Sequence, residues 1–428
     1  MNTMPFEDPC ESRRGMVLPM RERDRVIHQV LRKRLETLLP MAMRETGFDM
    51  WLVICQEDNP DPVFQTMIPL NTWAPILQML IFSLPEGGSQ VERINLSMTQ
   101  TGDLYTRPWS GRNTAEQWQM LAEIIAERKP RRIGINTGSI QWAAGGLTYN
   151  LYQQLCQAVP GEYHARMTSA ETLATRWLAT LTDEEIELFQ HVASLAHGLI
   201  KDCYSRASLM PGVTTTADLE WLYWQRAVDL GLEVSFKPFF NLVRSDELKE
   251  KYGEDDLVIR GGDLIHCDVG VRYLRLNSDH QQWAYVRRGD EQDAPAGLRS
   301  LLHEGNRLQN VFMAEFQPGL SGNELLQRIL ERARAEGIPN PKVYSHSLGL
   351  FLHEPGPLIG LPWEQENTAG RGEVRLNYNN AFTMELSVRD RILEWNGQEV
   401  TLSMEEDVVF TEQGCRLLDG RQVEFYLV

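Results

Sequence analysis

The sequence predicts an α/β (α+β) protein in which a smaller α/β domain, residues 1–178, precedes a larger domain, residues 179–428. Two patterns support this prediction. In the first part of the chain, apolar runs of strand length alternate with helical patterns, which is typical of an α/β domain. In the second part, a helix, a Pro-Gly turn, a second helix and strands follow one another twice, which indicates an internal duplication.

The smaller domain is built from short predicted elements. Apolar residues at helical spacing indicate a helix over residues 20–47, which Pro40 should kink or break. Its glycines are not followed by Lys and then Ser or Thr at the spacing of a phosphate-binding loop. The sequence therefore predicts no catalytic or phosphate-binding site in this domain. Apolar runs predict strands at 50–55, 76–84, 93–98 and 131–136, and helical patterns occur at 114–128 and 149–159.

The larger domain opens with a capping box, Thr182 to Glu185, which predicts a helix reaching about residue 208. Pro211-Gly212 separates it from a second predicted helix at 217–231. The same order returns later, with helices at 296–315 and 324–336 on either side of Pro318-Gly319. Two copies are too few for a solenoid, so we interpret them as two halves of one domain.

Two carboxylates lie on neighbouring extended segments of the stretch 262–285. Asp268 ends an alternating run of strand character, and a second β-rich run leads to Asp279. A hairpin of this kind turns both carboxylates toward one point, where they repel each other unless a proton or a metal lies between them. Taken alone, such a pair is more often solvated. His266 shares the face of Asp268 and is either a partner of this site or a packed core histidine.

Two histidines and two glutamates follow in the C-terminal part of the chain. His353 comes seven residues after His346, and Glu385 and Glu405 lie within apolar runs of strand character. An uncompensated buried charge costs several kcal/mol, so these glutamates need partners. Two aspartates, one histidine and two glutamates form a hard, oxygen-rich set, which suits two Mn²⁺-like ions better than a structural zinc that prefers thiolates.

This order of residues resembles the pita-bread metallopeptidases, a group that includes methionine aminopeptidase, aminopeptidase P, prolidase and the metal-free creatinase. The resemblance covers residues 179–428 well and reaches residues 1–178 only in their general layout. It implies a pita-bread domain with a pseudo-two-fold repeat, preceded by a creatinase-like α/β domain. It also implies five ligands for two divalent metal ions, Mn²⁺ first and Co²⁺, Zn²⁺ or Fe²⁺ as alternatives: Asp268, Asp279, His346, Glu385 and Glu405.

The same resemblance implies roles for two residues in catalysis. Glu385 would act as general base and then general acid, and His353 would hydrogen-bond the substrate near the scissile bond. The extra N-terminal domain is similar to that of aminopeptidase P and prolidase. We therefore expect hydrolysis of short peptides from the N-terminus, of the Xaa-Pro aminopeptidase or dipeptidase kind. By resemblance alone we also expect a homodimer.

Three departures separate the chain from the pattern of these peptidases. They carry a further substrate-contacting histidine upstream of the first aspartate, whereas residues 236–264 contain none, and Arg244 or Lys249 are open alternatives. Leu386-Ser387 stand where Pro-Gly usually follows the first ligand glutamate, and Ser403-Met404 stand where an arginine usually precedes the last ligand. These departures leave a second function open, namely a pita-bread protein that binds a peptide or another partner without hydrolysing it.

The composition excludes several classes of partner. A formal net charge of −17 argues against nucleic acid, because phosphates would be repelled. No apolar run approaches the ~18 residues of a membrane span, and the N-terminal residues lack the apolar core of a signal peptide. The six cysteines are scattered without CxxC pairs, which favours a reducing compartment. We therefore expect a cytoplasmic protein that acts on peptides and has no membrane or nucleic-acid partner.

Overall fold

A computed structural model describes residues 14–138 and 144–428. The described residues form two compact units. The N-terminal unit contains Pro19–Glu184 with Glu354–Gly356, and the C-terminal unit contains Glu185–His353, Pro357–Val428 and the described residues up to Leu18. Most of the residues on which the expectation of no signal peptide rests lie outside the described part of the chain. Each unit combines helices with sheets, which confirms the predicted α/β class.

The N-terminal unit contains one five-stranded sheet in the order β3-β2-β1-β4-β5. The pairs β1–β4 and β4–β5 are parallel, and β1–β2 and β2–β3 are antiparallel. Its strands are Met50–Gln56 (β1), Leu77–Ser83 (β2), Glu92–Asn95 (β3), Ile133–Ile135 (β4) and Met167–Ser169 (β5). Its helices are Met20–Lys33, Leu39–Thr46, Pro62–Thr66, Thr114–Arg128, Tyr149–Ala158, Gly161–Arg166 and Glu171–Ala179.

The chain is helical on both sides of Pro40, so the break that the sequence allowed at this position does not occur. The helix Met20–Lys33 continues as a π-helical segment, Arg34–Leu38, and then as the helix Leu39–Thr46. Pro40 lies in the first turn of this last helix, where its missing N–H costs little. The wider π turn directly before Pro40 accommodates the proline ring, so the chain keeps a helical path through this position.

The C-terminal unit contains four sheets, in the strand orders β10-β9-β6, β20-β11-β8-β7, β12-β16-β17 and β14-β13-β15-β18-β19. Its strands are Glu233–Val234 (β6), Phe239–Val243 (β7), Leu264–Val269 (β8), Val271–Tyr273 (β9), Leu276–Asn277 (β10), His280–Tyr285 (β11), Lys342–Val343 (β12), Ser345–Leu348 (β13), Leu358–Ile359 (β14), Asn380–Thr383 (β15), Leu386–Ile392 (β16), Gln398–Met404 (β17), Asp407–Thr411 (β18), Gly414–Leu417 (β19) and Tyr426–Leu427 (β20). Its helices are Arg14–Met16, most of Asp183–Cys203, Thr216–Asp229, Asp246–Tyr252, Ala296–Ala314, Gly322–Ala335, Arg371–Glu373 and Leu393–Trp395.

The repeated order of helices and strands seen in the sequence is present in the C-terminal unit. The second helix of each half begins with a capping box, in which Thr215 pairs with Asp218 and Ser321 pairs with Glu324. These reciprocal hydrogen bonds satisfy N–H groups that a helix start leaves unpaired. The first helix of the first half ends at Cys203, earlier than the expected residue 208, because a turn already begins at Tyr204.

Close packing between the second pair of helices and the sheets fixes the strands that carry the later candidate ligands. Leu302 and Phe312 are buried in the core formed with Val388 and neighbouring strand residues, and each such side chain contributes about 1.5–3 kcal/mol. A Cβ at position 305 would overlap the sulfur of Met404, so a larger residue here would require the Met404 side chain to move. None of the helices in the described part of the chain combines the length and apolar character that crossing a membrane requires.

Candidate metal centre

The hairpin formed by strands β8 and β11 holds the two candidate aspartates. The strands are antiparallel, Gln281 lies opposite Asp268, and Asp279 directly precedes β11. Between them, a Cβ at Gly270 would overlap the backbone carbonyl of Ser278, so glycine is required for this close crossing. The structure thus places the two aspartates on neighbouring extended segments, the arrangement expected from their spacing.

The other three candidate ligands come from the second half of the unit. His346 lies on strand β13, Glu385 lies between β15 and β16, and Glu405 lies between β17 and β18. Strand pairing changes at these glutamates, because Thr383 pairs with Asp407 on one side and Leu386 pairs with Met404 on the other. Both glutamates therefore sit where the paired strands pass from one sheet to the next.

Three of the five candidate ligands form a compact group. Ligand atoms of Asp279, His346 and Glu405 all lie within 4.8 Å of one another, and each of these residues is buried. The His346 Nε2 atom is 3.7 Å from the Asp279 Oδ2 atom. Asp268 and Glu385 are less buried and lie outside this compact group.

Gln281 connects Glu385 to this group, and no pattern in the sequence predicts this role. Its Nε2 atom donates hydrogen bonds to Glu385 Oε1 at 2.7 Å and to Glu405 Oε2 at 2.8 Å. Its Oε1 atom lies 3.0 Å from the Nε2 atom of His266, whose Nδ1 atom lies 2.8 Å from Asn241 Oδ1. His266 therefore acts on the carboxylates through Gln281, which favours the first of its two interpretations.

Burial, and at three of the four positions also the charge of neighbouring carboxylates, raises the pKa values of the candidate carboxylate ligands. Burial raises the pKa of Asp268 to about 6. Burial and then the charge of Asp268 raise the pKa of Glu385 to about 8, against the opposing hydrogen bond from Gln281. The pKa values of Asp279 and Glu405 are raised well above their ordinary range by burial and by the neighbouring carboxylates. Such a group of anions is costly unless a cation compensates it.

The imidazoles at the site are suited to act as neutral ligands or donors. Burial, followed by the nearby His353, lowers the pKa of His346 to about 3, so His346 is neutral at physiological pH. The rings of His346 and His353 are 4.3 Å apart between centroids. His353 is exposed, and its pKa is lowered by partial desolvation and then by the charge of Arg371.

Two buried oxygen atoms test whether these residues suit a divalent metal. Within the described residues, Asp279 Oδ1 and Glu405 Oε1 are buried and have no hydrogen-bond partner. Buried polar atoms are otherwise almost always paired, and an unpaired carboxylate oxygen is a ready metal ligand. Oxygen atoms with one neutral imidazole form a hard donor set. The residues present therefore fit a divalent cation.

The two basic residues considered as replacements for the absent upstream histidine have other partners. Arg244 forms a buried fork with Asp263, with Nε donating to Oδ1 at 2.8 Å and Nη2 donating to Oδ2 at 2.7 Å. Lys249 is half-buried, and its Nζ atom lies 3.4 Å from Asp246 Oδ1. The geometry thus gives no support to Arg244 or Lys249 as substrate-contacting residues.

A cavity of about 660 Å³ lies near the candidate ligands. No pattern in the sequence predicted it. Tyr344, Ser387 and Ser403 line it, and each is two residues from a candidate ligand. Side chains two apart along extended chain lie on the same face, so the cavity continues the site along the sheet. The charges of Glu385 and Glu405 help burial to raise the pKa of Tyr344 to about 12.

Solved structures share this architecture. An X-Pro aminopeptidase from Thermotoga maritima MSB8 is 16% identical with a TM-score of 0.62, over 91% of this chain and 100% of that chain. An Xaa-Pro dipeptidase from Bacillus anthracis is 17% identical with a TM-score of 0.58, over 93% of this chain and 100% of that chain. The N-terminal domain of the FACT complex subunit SPT16 from Cicer arietinum is 12% identical with a TM-score of 0.56, over 91% of this chain and 96% of that chain.

These similarities establish the fold, including the N-terminal domain before the pita-bread domain, and confirm the predicted fold class. The comparison with curated proteins gave no match. The sequence model of metallopeptidase family M24 matches residues 187–412, which is more than half of the chain. The protein therefore belongs to metallopeptidase family M24, as its sequence pattern predicted, and is a hydrolase of the peptidase class.

Proposed function

We propose that the protein is a dinuclear metal-dependent peptidase that hydrolyses short peptides from the N-terminus, in the manner of an Xaa-Pro aminopeptidase or prolidase. The observation that carries the proposal is the group Asp279, His346 and Glu405, whose ligand atoms lie within 4.8 Å of one another. Two of its buried carboxylate oxygens have no hydrogen-bond partner among the described residues. Membership in family M24 supports the peptidase assignment.

Five residues would hold the two metal ions in this proposal: Asp268, Asp279, His346, Glu385 and Glu405. We favour Mn²⁺, because four carboxylates and one imidazole form a hard donor set. When bound, divalent ions lower the pKa of water toward neutrality and polarise a carbonyl group. The carboxylates of Glu385 and Glu405 are held in place by Gln281, so their oxygen atoms are already oriented.

Glu385 is the residue we assign to proton transfer. Its carboxylate lies at the edge of the compact group, and the hydrogen bond from Gln281 Nε2 to Glu385 Oε1 holds it in the position that a proton carrier near the scissile bond needs. It would take the proton from the attacking water and deliver it to the leaving amine. His353 is exposed beside His346 and would donate a hydrogen bond to the substrate carbonyl as negative charge develops there.

The cavity next to the site supports a preference for short peptides with a free carboxylate. Its volume of about 660 Å³ falls in the range of small-molecule and peptide sites. Arg334, Lys342 and Arg389 line it, and no acidic residue belongs to its lining among the described residues. We propose that the part of the substrate after the scissile bond lies here, with its terminal carboxylate near these cations.

The other elements of the proposal follow from the family resemblance and from composition. We propose that residues 179–428 form the catalytic domain and residues 1–178 a separate N-terminal domain, and that two copies associate as a homodimer. A cytoplasmic location agrees with the five described cysteines, which are all unpaired. Similarity to the Thermotoga X-Pro aminopeptidase and the Bacillus Xaa-Pro dipeptidase motivates the choice of Xaa-Pro substrates for the first test.

A second candidate function is the binding of a peptide without hydrolysis. The specific observation in its favour is that residues 236–264 contain no histidine, while Arg244 is occupied by Asp263. The N-terminal domain of a FACT complex subunit, which is described as part of a complex and not as a peptidase, shares the fold. The two functions predict different results for one substitution, Glu385→Gln.

The test is hydrolysis of a panel of short peptides by the Mn²⁺-loaded protein, half of the peptides having proline second. Release of the N-terminal residue from the Xaa-Pro peptides alone would support the full proposal. Cleavage of other peptides would keep the mechanism and remove the proline preference. Glu385→Gln should abolish turnover while leaving peptide binding measurable by calorimetry. Binding without cleavage by the unsubstituted, metal-loaded protein would favour the second function.

A further inference from the structure

A second group of histidines and carboxylates lies on the opposite face of the strands that carry the candidate metal centre. His280 follows Asp279 and Glu406 follows Glu405, and neighbouring side chains of extended chain point to opposite faces. His197, from the helix Asp183–Cys203, joins them there. Ligand atoms of His197, His280 and Glu406 all lie within 4.8 Å of one another.

We propose that His197, His280 and Glu406 form a separate binding site for a single divalent metal ion, with Zn²⁺ as the preferred ion. Two imidazoles and one carboxylate are a typical protein ligand set for zinc and leave one position for water. The ligand atoms are His197 Nε2, His280 Nδ1 and Glu406 Oε2. The proposal rests on this group of residues alone and does not depend on peptide hydrolysis.

The distances among these atoms are close to those of a tetrahedral site. With metal–ligand bonds of about 2.0–2.1 Å, tetrahedral ligand atoms are about 3.3 Å apart. His280 Nδ1 and Glu406 Oε2 are 3.3 Å apart, whereas His197 Nε2 and Glu406 Oε2 are 2.7 Å apart, which is a hydrogen bond. Metal binding would replace the proton of that bond and lengthen the separation by about 0.6 Å, a shift within reach of a side-chain adjustment.

The far sides of His197 and Glu406 are hydrogen-bonded to protein groups, and a carboxylate lies behind His280 without a hydrogen bond. The Nδ1 atom of His197 lies 2.7 Å from Asp419 Oδ2, and the Nε2 atom of His280 lies 3.4 Å from Asp407 Oδ2. A carboxylate behind the second ring nitrogen is the usual support of a metal-binding histidine. The Oε1 atom of Glu406 accepts hydrogen bonds from Gln282 Nε2 at 2.9 Å and from the Gln422 N–H at 3.0 Å, which leaves Oε2 for the metal.

His280 provides an independent sign that a ligand belongs here. Only 1% of the residue is exposed, and within the described residues neither ring nitrogen forms a hydrogen bond of acceptable geometry. Glu406 and Asp407 are also 1% exposed, so two carboxylates are buried beside two imidazoles. Both ring nitrogens of His197 lie 2.7 Å from a carboxylate, so a protonated His197 offsets part of this charge in the metal-free protein. A divalent cation would replace the proton that faces Glu406 and would also pair the His280 ring.

The test counts metal ions in the full-length protein. Wild type, His197→Gln and a control, His303→Gln, are stripped with a chelator, equilibrated with Zn²⁺ and analysed by elemental mass spectrometry. His303 lies on an exposed position of the helix Ala296–Ala314. We expect His197→Gln to hold one ion fewer per chain than wild type and His303→Gln to hold the same number. An equal number in His197→Gln would overturn the proposal and leave a proton-bridged histidine.

A second variant keeps the test decisive if His197→Gln does not fold. In His197→Cys, Co²⁺ loading should produce a thiolate charge-transfer absorption band that Co²⁺-loaded wild type lacks, because a thiolate replaces one imidazole ligand. A folded His197→Cys protein without this band would contradict the proposal. Both readouts compare variants, so they do not depend on how many ions the Asp279 group binds or on whether peptides are cleaved.

Discussion

Gln281 and Glu405 are joined by three hydrogen bonds. Each backbone N–H donates to the carbonyl oxygen of the other residue, at 3.1 and 3.2 Å, and the Gln281 Nε2 atom donates to Glu405 Oε2 at 2.8 Å. This pair therefore ties the hairpin with the two aspartates to the strands with the two glutamates. Because the same Nε2 atom also bonds Glu385, one amide group orients two of the proposed ligands.

Replacing Gln281 should weaken metal binding without removing a ligand. We expect Gln281→Ala to lower the affinity for Mn²⁺ by about 10–100-fold, the usual cost of losing a group that orients ligands. Calorimetric titration of the chelator-treated protein with Mn²⁺ measures this change. Gln292→Ala is the control, since Gln292 is exposed and its side chain donates to the Asp290 carbonyl oxygen, away from both groups of candidate ligands. Unchanged Mn²⁺ affinity in Gln281→Ala would contradict the orienting role.

Without metal, the clustered carboxylates of the candidate metal centre should repel one another and lower the free energy of unfolding. Asp279 is buried among Asp268, Glu385 and Asp407, whose charges all raise its pKa. Asp279→Asn removes one of these charges, so we expect the metal-free variant to gain about 0.5–2 kcal/mol in unfolding free energy. Urea unfolding in the presence of a chelator measures this gain.

The same substitution should abolish stabilisation by metal. Mn²⁺ at 100 times its dissociation constant stabilises a one-site protein by about 2.7 kcal/mol, so the melting temperature of wild type should rise on addition of Mn²⁺. Asp279→Asn should show little of this rise. Asp290→Asn, at an exposed position, serves as the control and should behave like wild type in both measurements. A wild-type melting temperature that does not change on addition of Mn²⁺ would contradict the proposed metal centre.

The charged cavity lining leads to a prediction about substrate recognition, which rests on the proposed function. Arg389 lines the cavity, whereas Arg391, two residues further along strand β16, does not. We expect Arg389→Ala to raise KM about threefold to tenfold for peptides with a free terminal carboxylate, which is about 1 kcal/mol of lost binding. Amidated peptides should be unaffected, and Arg391→Ala should change neither. Equal effects of Arg389→Ala on both peptide forms would contradict the assigned position of the carboxylate.

Much of the fold could be predicted because local patterns decide it. The apolar run at 50–55 became strand β1 and the run at 76–84 became β2, since both strands are buried on nearly all positions and the chain offers no competing pattern. The helix predicted at 114–128 has those bounds in the structure. The π-helical segment before Pro40 was missed, because periodicity does not distinguish a wider turn from a kink.

The site was only partly predictable, because partners across the fold leave no local signal. Spacing and resemblance predicted the five candidate ligands, but no feature of the sequence distinguishes Gln281 from other polar residues of a strand. Its contacts with Glu385 and Glu405 span more than one hundred positions. His280 and Glu406 were likewise not predicted as site residues, because each one directly follows a candidate ligand and no pattern of its own marks it. Their meeting with His197 depends on a helix packed on the other face.

The buried fork between Arg244 and Asp263 should be a large contributor to stability. Their side chains are 5% and 0% exposed, and Asp263 accepts both hydrogen bonds of the fork. Asp263→Ala would leave the guanidinium buried without its main partner, so we expect a loss of about 3–5 kcal/mol in unfolding free energy. Urea unfolding measures the loss. Lys249→Ala breaks a pair at the protein surface and should change the unfolding free energy by no more than about 0.5 kcal/mol.

A pH-dependent contribution to stability should come from Asp61 in the N-terminal unit. Asp61 is fully buried, and burial raises its pKa to about 6, although Asn136 and the N–H groups of Val63 and Phe64 donate hydrogen bonds to it. The folded-state pKa lies above the unfolded value near 3.8, so the folded protein holds this proton more tightly. The resulting stability is fully present below about pH 4 and is lost as the pH rises through about 6.

The size of the effect follows from the displacement of the pKa. The pKa of Asp61 is raised by about two units, and each unit corresponds to about 1.36 kcal/mol. Wild type should therefore lose at most about 3 kcal/mol of unfolding free energy between pH 4 and pH 7. Asp61→Asn keeps an oxygen for the Val63 N–H and does not titrate, and its amide mismatch with Asn136 adds a cost that does not depend on pH. The difference in unfolding free energy between wild type and variant should therefore shift in favour of the variant as the pH rises from 4 to 7.

Asp49→Asn provides a control of opposite sign in the same unit. Burial raises the pKa of Asp49, but hydrogen bonds and charge from Arg131 outweigh it, so the net change is a lowered pKa. Asp49 therefore stabilises the folded protein above the ordinary aspartate pKa, and this stabilisation is lost as the pH falls. The unfolding free energy of wild type should rise relative to that of Asp49→Asn as the pH rises. Urea unfolding from about pH 3 to about pH 7 separates the two signs, because the Asp49 contribution is lost below about pH 4 and the Asp61 contribution is lost between about pH 4 and about pH 6. Parallel curves for wild type and Asp61→Asn above about pH 4 would show that burial does not raise the pKa of Asp61.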